Sequence, residues 1–576
     1  MHRLRRWEEA GYAALAAALS GLFGALVLQP WRGALDVPYV YASDANEYQA
    51  AVKGVLDHGW IWHNPSLGAP GTQVSFDYPL LGGDWLNVFA IRVLGLFSSD
   101  SAVVLNVFFL LTFPAVGLTA YLVFRRLTLS VPAAITCSVL YALLPYHFVR
   151  GEVHLLLAAY YAVPLGAYLV LSVLADRPLF ATRRIALWTV VMCVVIVLAS
   201  ATYYYAAFTV VLVLAAAGLR AIAGRSWRPL ANGGGVAGVL VVLSLVTLSP
   251  SLAYWARHGT NPHVAHRAAF ESELYGLKFA QLVLPIEHHR IGALAHLRET
   301  YDGWFPATEA ATSTPLGLVA AVGFLALLGI CFVQLAAPGR RVASPLAGQA
   351  GLAAFLALLF AWTGGLAVFV AGIDPQIRSW NRLSVFIGFF GLLAVGLGLD
   401  WALRWLRPRG VVVGAVVLLG VLAIGIFDQT SRSYEPAYAA LSTQYRSDGD
   451  LVREIDARLP KDAMVFQLPF VSYPEAGTLN RMLDYDLFRG YLHSGDLRWS
   501  YGQVRGRGSG RNAVIAAEPV PQMVRDVRES GFSGIYVDRF GYADNGAKLE
   551  AELTQAVGRP PLVSPDGRLS FFQLNG

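Results

Sequence analysis

A chain of 576 residues that is 56% hydrophobic and 14% charged, with a mean hydropathy of +0.50, is too apolar for a water-soluble protein of that size. Apolar runs of about 20 residues, the length that crosses a bilayer core, recur along it and mark a polytopic membrane protein. A formal charge of +6 would suit a nucleic-acid partner, but the placement of the basic residues decides against one, because it follows the pattern that orients a membrane protein. Cys137, Cys193 and Cys331 all fall inside apolar runs, which argues against a disulfide framework and a cysteine metal site.

Eleven spans are predicted, near 11–29, 101–123, 130–147, 155–175, 185–201, 204–222, 235–255, 315–335, 347–370, 384–404 and 410–427. The first reads as a retained span, since its apolar run is long for a signal peptide and has no clear cleavage site. With the N-terminus inside, the cytoplasmic segments collect Arg125/Arg126, Arg183/Arg184, Arg340/Arg341 and Arg404/Arg407/Arg409, against Glu8, Glu9 and Asp176. Residues 30–100 and 256–314 then form long outer loops. The segment 80–97 carries Asp84 and Arg92 in a short apolar run and is expected to lie in the interface.

The first loop opens with "SDANEYQ". Asp44, just past the first span and beside aromatics, is placed where partial desolvation raises a carboxyl pKa and suits it to take a proton. Glu47 follows one helical turn later and Tyr48 next to it. The competing reading is a helix cap, which Ser43 and Asp44 also fit. Trp60, Trp62 and Trp85 make either an interfacial aromatic belt or a platform for a sugar ring, with His58 and His63 flanking them. Asp77 in "SFDYP" and Asp84 in "GGDW" are further acids, structural by default and candidates for substrate contact.

Further along, "YHFVRGEVH" sets His147, Arg150, Glu152 and His154 at an outer helix end, where ionisable groups are functional candidates by default. "VLPIEHHR" offers Glu287, His288 and His289, with His263 and His266 nearby. Adjacent histidines are poor joint metal ligands, because neither helix nor strand points both the same way, so a divalent metal is not favoured. "IRSWNRLS" puts Arg378 and Arg382 at an outer mouth, either to pair with a phosphate or to snorkel toward lipid headgroups.

After Asp428 the pattern changes. "DGDLVREIDARLP" reads as an amphipathic helix ended by Pro460, "AMVFQLPF" as a buried strand, and "EPVPQMVRDVRESGFSGIYVD" as helix, turn and strand. Residues 1–428 therefore form a membrane domain and 429–576 an extracytoplasmic α/β domain. The stretch "DYDLFRGYLHSGDLRWSYGQVRGRG" is balanced between glycan binding and core, with Arg489, His493 and Arg498 its candidate contacts.

Together, "SDANEYQ", "GWIWHNPSLGAPG", "DYPLLGGDWL", "YHFVRGEVH" and "IRSWNRLS" resemble the GT-C class of polytopic membrane glycosyltransferases, and among them the YfhO-like bacterial membrane proteins. The resemblance covers about residues 1–400. It implies an enzyme of the cytoplasmic membrane that moves a sugar from a polyprenyl-phosphate carrier to a glycan, lipid or protein hydroxyl on the outer face. It implies inversion, with Asp44 as base, Glu47 beside it, and Arg378, Arg382, Arg150 and His154 on the donor phosphate. Relatives often have two adjacent acids in this loop, whereas here they are three apart, so Glu47 is assigned to positioning and no cofactor is expected. Beyond membrane lipids, the partners implied are the lipid-linked donor and the acceptor. A transporter or flippase for a lipid-linked saccharide is the alternative, but it calls for polar residues running through the spans.

Overall fold

The computed structural model describes residues 2–264, 266–305, 308–337, 344–508 and 510–574, with backbone alone at 2–6 and 409. Arg340 and Arg341 lie outside the described residues, as does the side chain of Arg409.

Every predicted span is helical. Helix α1 is His2–Leu28, and α4 (Ser101–Arg126) packs along it, after α2 (Asp44–His58) and α3 (Trp85–Leu94) in the first loop. Nine helical segments among the described residues are long and apolar enough to cross a membrane. The other two differ from expectation: segments 185–201 and 347–370 become helices Arg183–Leu198 and Pro345–Ala361, of 16 and 17 residues. At 1.5 Å per residue these measure about 25 Å, short of a ~30 Å hydrocarbon core. The ten residues of α3 are shorter still, consistent with a segment that does not span.

Glycine permits one close helix crossing. Helices Leu318–Ala336 and Ser384–Leu406 meet at Gly323 and Gly391, where a Cβ on Gly323 would lie 2.1 Å from the Gly391 carbonyl oxygen. Small residues at such crossings let backbones approach and gain packing where lipid offers no hydrophobic drive. Elsewhere the spans are broken. Val131–Ala142 stops before Pro145, and Pro145–Arg150 ends at Gly151 with φ of 42°. Proline starts a helix well and interrupts one badly, so this sequence delivers a tight turn, 151–154, to the bundle's end.

In the first loop, β1 (His63–Asn64) and β2 (Gln73–Val74) form a small antiparallel pair. The C-terminal sheet contains β3 (Met464–Leu468), β4 (Arg498–Trp499), β5 (Phe532–Asp538), β6 (Leu562–Val563) and β7 (Leu569–Gln573), in the order β4-β3-β5-β7-β6. β4, β3 and β5 are parallel, and β7 and β6 join antiparallel. Strand alternation sends Phe466, Ile535 and Phe572 to a layer with Met523, Val524 and Leu553. Val465, Tyr536 and Phe571 face the other way, onto Leu451, Val452 and Ile455 of helix Tyr438–Arg458.

That second layer also holds Val37, Tyr41, Ala50, Leu67 and Ala102 from the membrane part. The first loop and the C-terminal domain thus share one core. Backbone pairing seals it: Gly68 and Ala69 donate to Tyr501 and Trp499 carbonyls at 2.9 and 3.0 Å, and Trp499 donates to Ser66 at 2.8 Å. Segment 66–69 in effect extends the sheet beyond β4.

Candidate active site

The extended segment 39–42 turns into α2 at Ser43, whose φ is 51°. The expected alternative for Asp44, a helix cap, is not what the structure forms. Ser43 caps no amide, and its Oγ donates instead to Asp44 Oδ1 at 3.3 Å. The Asp44 carboxylate is thereby left at the start of α2, 38% exposed, with Oδ2 3.6 Å from His154 Nε2. Withdrawal from water, helped by repulsion from Asp484 and Glu475, pushes its pKa up to about 6 against the opposing pull of Ser43 and Arg382.

Turn 151–154 brings three groups to the same place. His154 is held neutral, its pKa well below the usual value, by burial and then by the charges of Arg150 and Arg382. Arg150 is buried and pairs with Glu309, which was not singled out in the sequence, and also donates to Ser313 and Asn381. Burial pushes Glu309 up, but Arg150 and Arg382 outweigh it and hold that carboxyl down at about 2. Glu152 is buried under the first loop and accepts from the Val40 amide at 3.1 Å, three residues before Ser43. Burial raises its pKa to about 8.

Arg382 is placed differently from Arg150. Its guanidinium lies 4.1 Å over the Tyr204 ring, its Nε has no hydrogen-bond partner, and it forms no ion pair among the described residues. Arg378 is different. It pairs with Glu271 at 2.8 Å and Glu475 at 3.7 Å and lies over Tyr275, so the expected free phosphate ligand is a tie between two loops and the C-terminal domain.

The second wall comes from that domain. Tyr473 lies beside Glu47, and Asp484 and Glu475 are within electrostatic reach of both loop acids. Glu47 is only 3% exposed, and burial, then the charge of Asp44, push its pKa well above the carboxylate range. Its protonated form is thereby favoured beside Asp44. Tyr48 is buried behind the pair. Nothing in a single sequence linked residues 473–486 to Asp44, because more than 400 residues separate them.

The docking of these walls rests on a buried charge lattice. Arg489 donates to Asp448 at 2.9 Å, Asp486 at 3.1 Å and the Tyr41 carbonyl at 2.8 Å, with its guanidinium over the Tyr41 ring. Asp486 also accepts from Asn46 at 3.0 Å and from Arg568 at 2.7 Å, and Tyr41 donates to Asp448 at 2.8 Å. Tyr41 and Asn46 bracket Asp44, so the C-terminal lattice fixes the loop on both sides of that carboxylate.

Other expected contacts are structural instead. Arg489 is interior, and His493 is half-buried, its ring tilted against Tyr445 at 4.2 Å and its Nε2 3.1 Å from the Tyr41 hydroxyl. Arg498 donates to the carbonyls of Pro65, Pro70 and Gly71 and fastens the first loop. Asp77 is held by Arg507, Trp255 and Asn261. Asp84 accepts from the amides of Ala201 and Thr202 at 2.9 and 2.7 Å and from Asn87, and burial raises its pKa to about 7. His289 pairs with Asp428 at 3.2 Å, whereas His288 is exposed and gives its carbonyl to Ser431. Trp62 stacks on Phe76, His63 meets the edge of the same ring, and Trp60 meets the edge of Trp85. Among the described residues no three of His, Cys, Asp and Glu converge as a metal site.

No family model and no curated protein matches the chain. Among solved structures it is similar to ArnT from Cupriavidus metallidurans in the apo state, at 14% identity over 96% of this chain and 98% of that one, with a TM-score of 0.50. The chain has the GT-C fold. It also aligns with the archaeal oligosaccharyltransferase AglB from Archaeoglobus fulgidus, at 14% identity over 99% of this chain and 74% of that one, with a TM-score of 0.43. A third alignment, to the arabinofuranosyltransferase AftD from Mycobacteria, has 15% identity, covers 99% of this chain and 42% of that one, and has a TM-score of 0.42. In the GT-C fold seen here, the first-loop helix, the 151–154 turn and the mouth of the Arg382 span converge at one end of the bundle. The Glu9–Arg125 pair marks the opposite end.

Proposed function

We propose that the protein is an inverting glycosyltransferase that moves a sugar from a polyprenyl-phosphate carrier to a hydroxyl of a glycan, lipid or protein. The reaction is placed at the outer face of the bacterial cytoplasmic membrane, with the N-terminus and the Arg125 end of the bundle in the cytoplasm. One observation carries the reading: at the end of a membrane bundle, a carboxyl whose pKa is raised to about 6 lies within electrostatic reach of a half-buried arginine that forms no ion pair among the described residues. Asp44 takes the acceptor hydroxyl proton as the acceptor oxygen bonds the anomeric carbon. The bond from that carbon to the phosphate oxygen breaks, and its electron pair leaves with the lipid phosphate, whose charge Arg382 stabilises. His154, 3.6 Å from Asp44, is placed to hydrogen-bond the acceptor hydroxyl, and the Arg150–Glu309 pair holds the turn that carries it. Each step uses this chain's own groups, and no cofactor is proposed.

The test is transfer of radiolabelled sugar from polyprenyl-phosphate donors by the protein in lipid nanodiscs. Asp44→Asn is expected to lower turnover by roughly 10²–10⁴ while donor binding persists. Donor that binds without turnover in the wild type, or an Asp44→Asn variant as active as wild type, overturns the proposal and favours transport of the lipid-linked saccharide.

A further inference from the structure

An open cavity runs beside α2 between the first loop and the C-terminal domain, with about 50 Å³ of space open to the centres of water-sized molecules. On the helix side its wall is the stripe Glu47, Ala50, Ala51 and Gly54, one face at helical spacing whose small side chains leave the room. Facing it are the rings of Trp60, Tyr78 and Tyr473. His63, Asn64, Gln73 and Ser75 supply polar groups along it. Glu47 lines one end, 3% exposed, and its Oε1 has no hydrogen-bond partner.

We propose that this cavity is the acceptor subsite and that it receives a sugar ring, one hydroxyl of which bonds Glu47. The proposal rests on the transferase reading above. Its chemistry follows from the lining. Aromatic faces suit the C–H face of a carbohydrate ring, while the polar side chains and the orphan carboxyl oxygen suit its hydroxyls. A hydrocarbon guest would leave that oxygen desolvated and unbonded. Spacing supports the same assignment. Residues three apart on a helix have Cβ atoms about 5–6 Å apart, so a sugar anchored at Glu47, the cavity end nearer the start of α2, has its Glu47-bound edge next to Asp44.

The experiment uses the full chain in nanodiscs, with methyl glycosides of the common hexoses and pentoses as probes and 1-octanol as the apolar control. Binding is read by saturation-transfer difference NMR. At least one glycoside is expected to bind and to resist displacement by octanol. Glu47→Leu is expected to weaken it at least tenfold, whereas Glu47→Gln, which keeps a donor and an acceptor, stays within threefold. A bulky maleimide attached at Ala51→Cys after folding is expected to abolish binding, which separates occlusion from misfolding. If no glycoside binds the wild type, or the labelled variant binds as well as the unlabelled one, the subsite is wrong. Sugar transfer unaffected by the label overturns the subsite and leaves the transferase reading standing. Glycoside binding that the label abolishes, in a protein that turns over no lipid-linked sugar, overturns the transferase reading and leaves a sugar-binding cavity.

Discussion

Asp44 sits between opposing fields. Partial burial and the carboxylates of Asp484 and Glu475 favour its protonated form, while Arg382 and the Ser43 hydroxyl favour its charge. A base must be deprotonated to act, so turnover is expected to rise as pH increases through about 6 and then level off. Asp484→Asn removes one repelling charge, and the acid limb of kcat/KM should move to lower pH. An unmoved limb would mean that another group controls it. Glu152 gives a second residue-scale prediction. Its folded pKa, about 8, lies above the usual value, so its contribution to stability is complete below the ordinary carboxylate range and is lost as pH rises through 8. Glu152→Gln keeps the Val40 contact and removes that loss. Above pH 8 the variant should melt later than wild type, by an amount on the order of a few kcal/mol. At this scale position relative to a span singled out Asp44, Arg150, His154 and Arg382 as candidates, and the structure brings them to one end of the bundle. At Arg378, Asp77, Arg489 and Arg498 the sequence left ligand contact and structural tie unseparated, because charge and aromatic company look the same in both.

At the scale of elements, α2 is held between the membrane bundle and the lattice of Asp448, Arg489, Asp486 and Arg568. Removing one partner from such a lattice leaves a buried charge uncompensated, at a cost of about 3–5 kcal/mol. Arg489→Met is therefore expected to lower the melting temperature sharply, as monitored by intrinsic fluorescence. The milder Asn46→Ala removes only the link to Asp486, and it should reduce kcat more than it alters donor binding. Equal loss of both would assign Asn46 to general folding. Apolar runs revealed the helices because twenty consecutive apolar residues admit few alternatives. Strands β3 and β5 were legible for a similar reason, as short hydrophobic segments bounded by turns. The sheet order was not, since it depends on pairings between distant segments, and neither was the recruitment of residues 66–69 to its edge.

For the whole molecule, the shared core makes the membrane and C-terminal parts a single functional unit. Protein ending near residue 430 should lose transfer completely even if it inserts in the membrane, because Tyr473, Glu475 and Asp484 are then absent from the site. Activity of such a truncated protein would show that the second wall is dispensable. Transfer by the full chain is expected to survive EDTA, and restoration by added Mg²⁺ or Mn²⁺ after EDTA would contradict a mechanism built on side chains alone.

The clasp between the two ends of the membrane part bears on synthesis. Tyr438 donates to the Leu28 carbonyl at 2.6 Å, and Glu435 accepts from Gln29 and Arg32. A ribosome makes Tyr41 and Asn46 before the later membrane helices, and their lattice partners Asp448, Asp486 and Arg489 only after them. The flanks of Asp44 are therefore tied to the C-terminal domain only once every membrane helix has been made. On the transferase reading, an unfinished membrane part lacks the second wall of its site, so the order of synthesis itself guards against premature turnover.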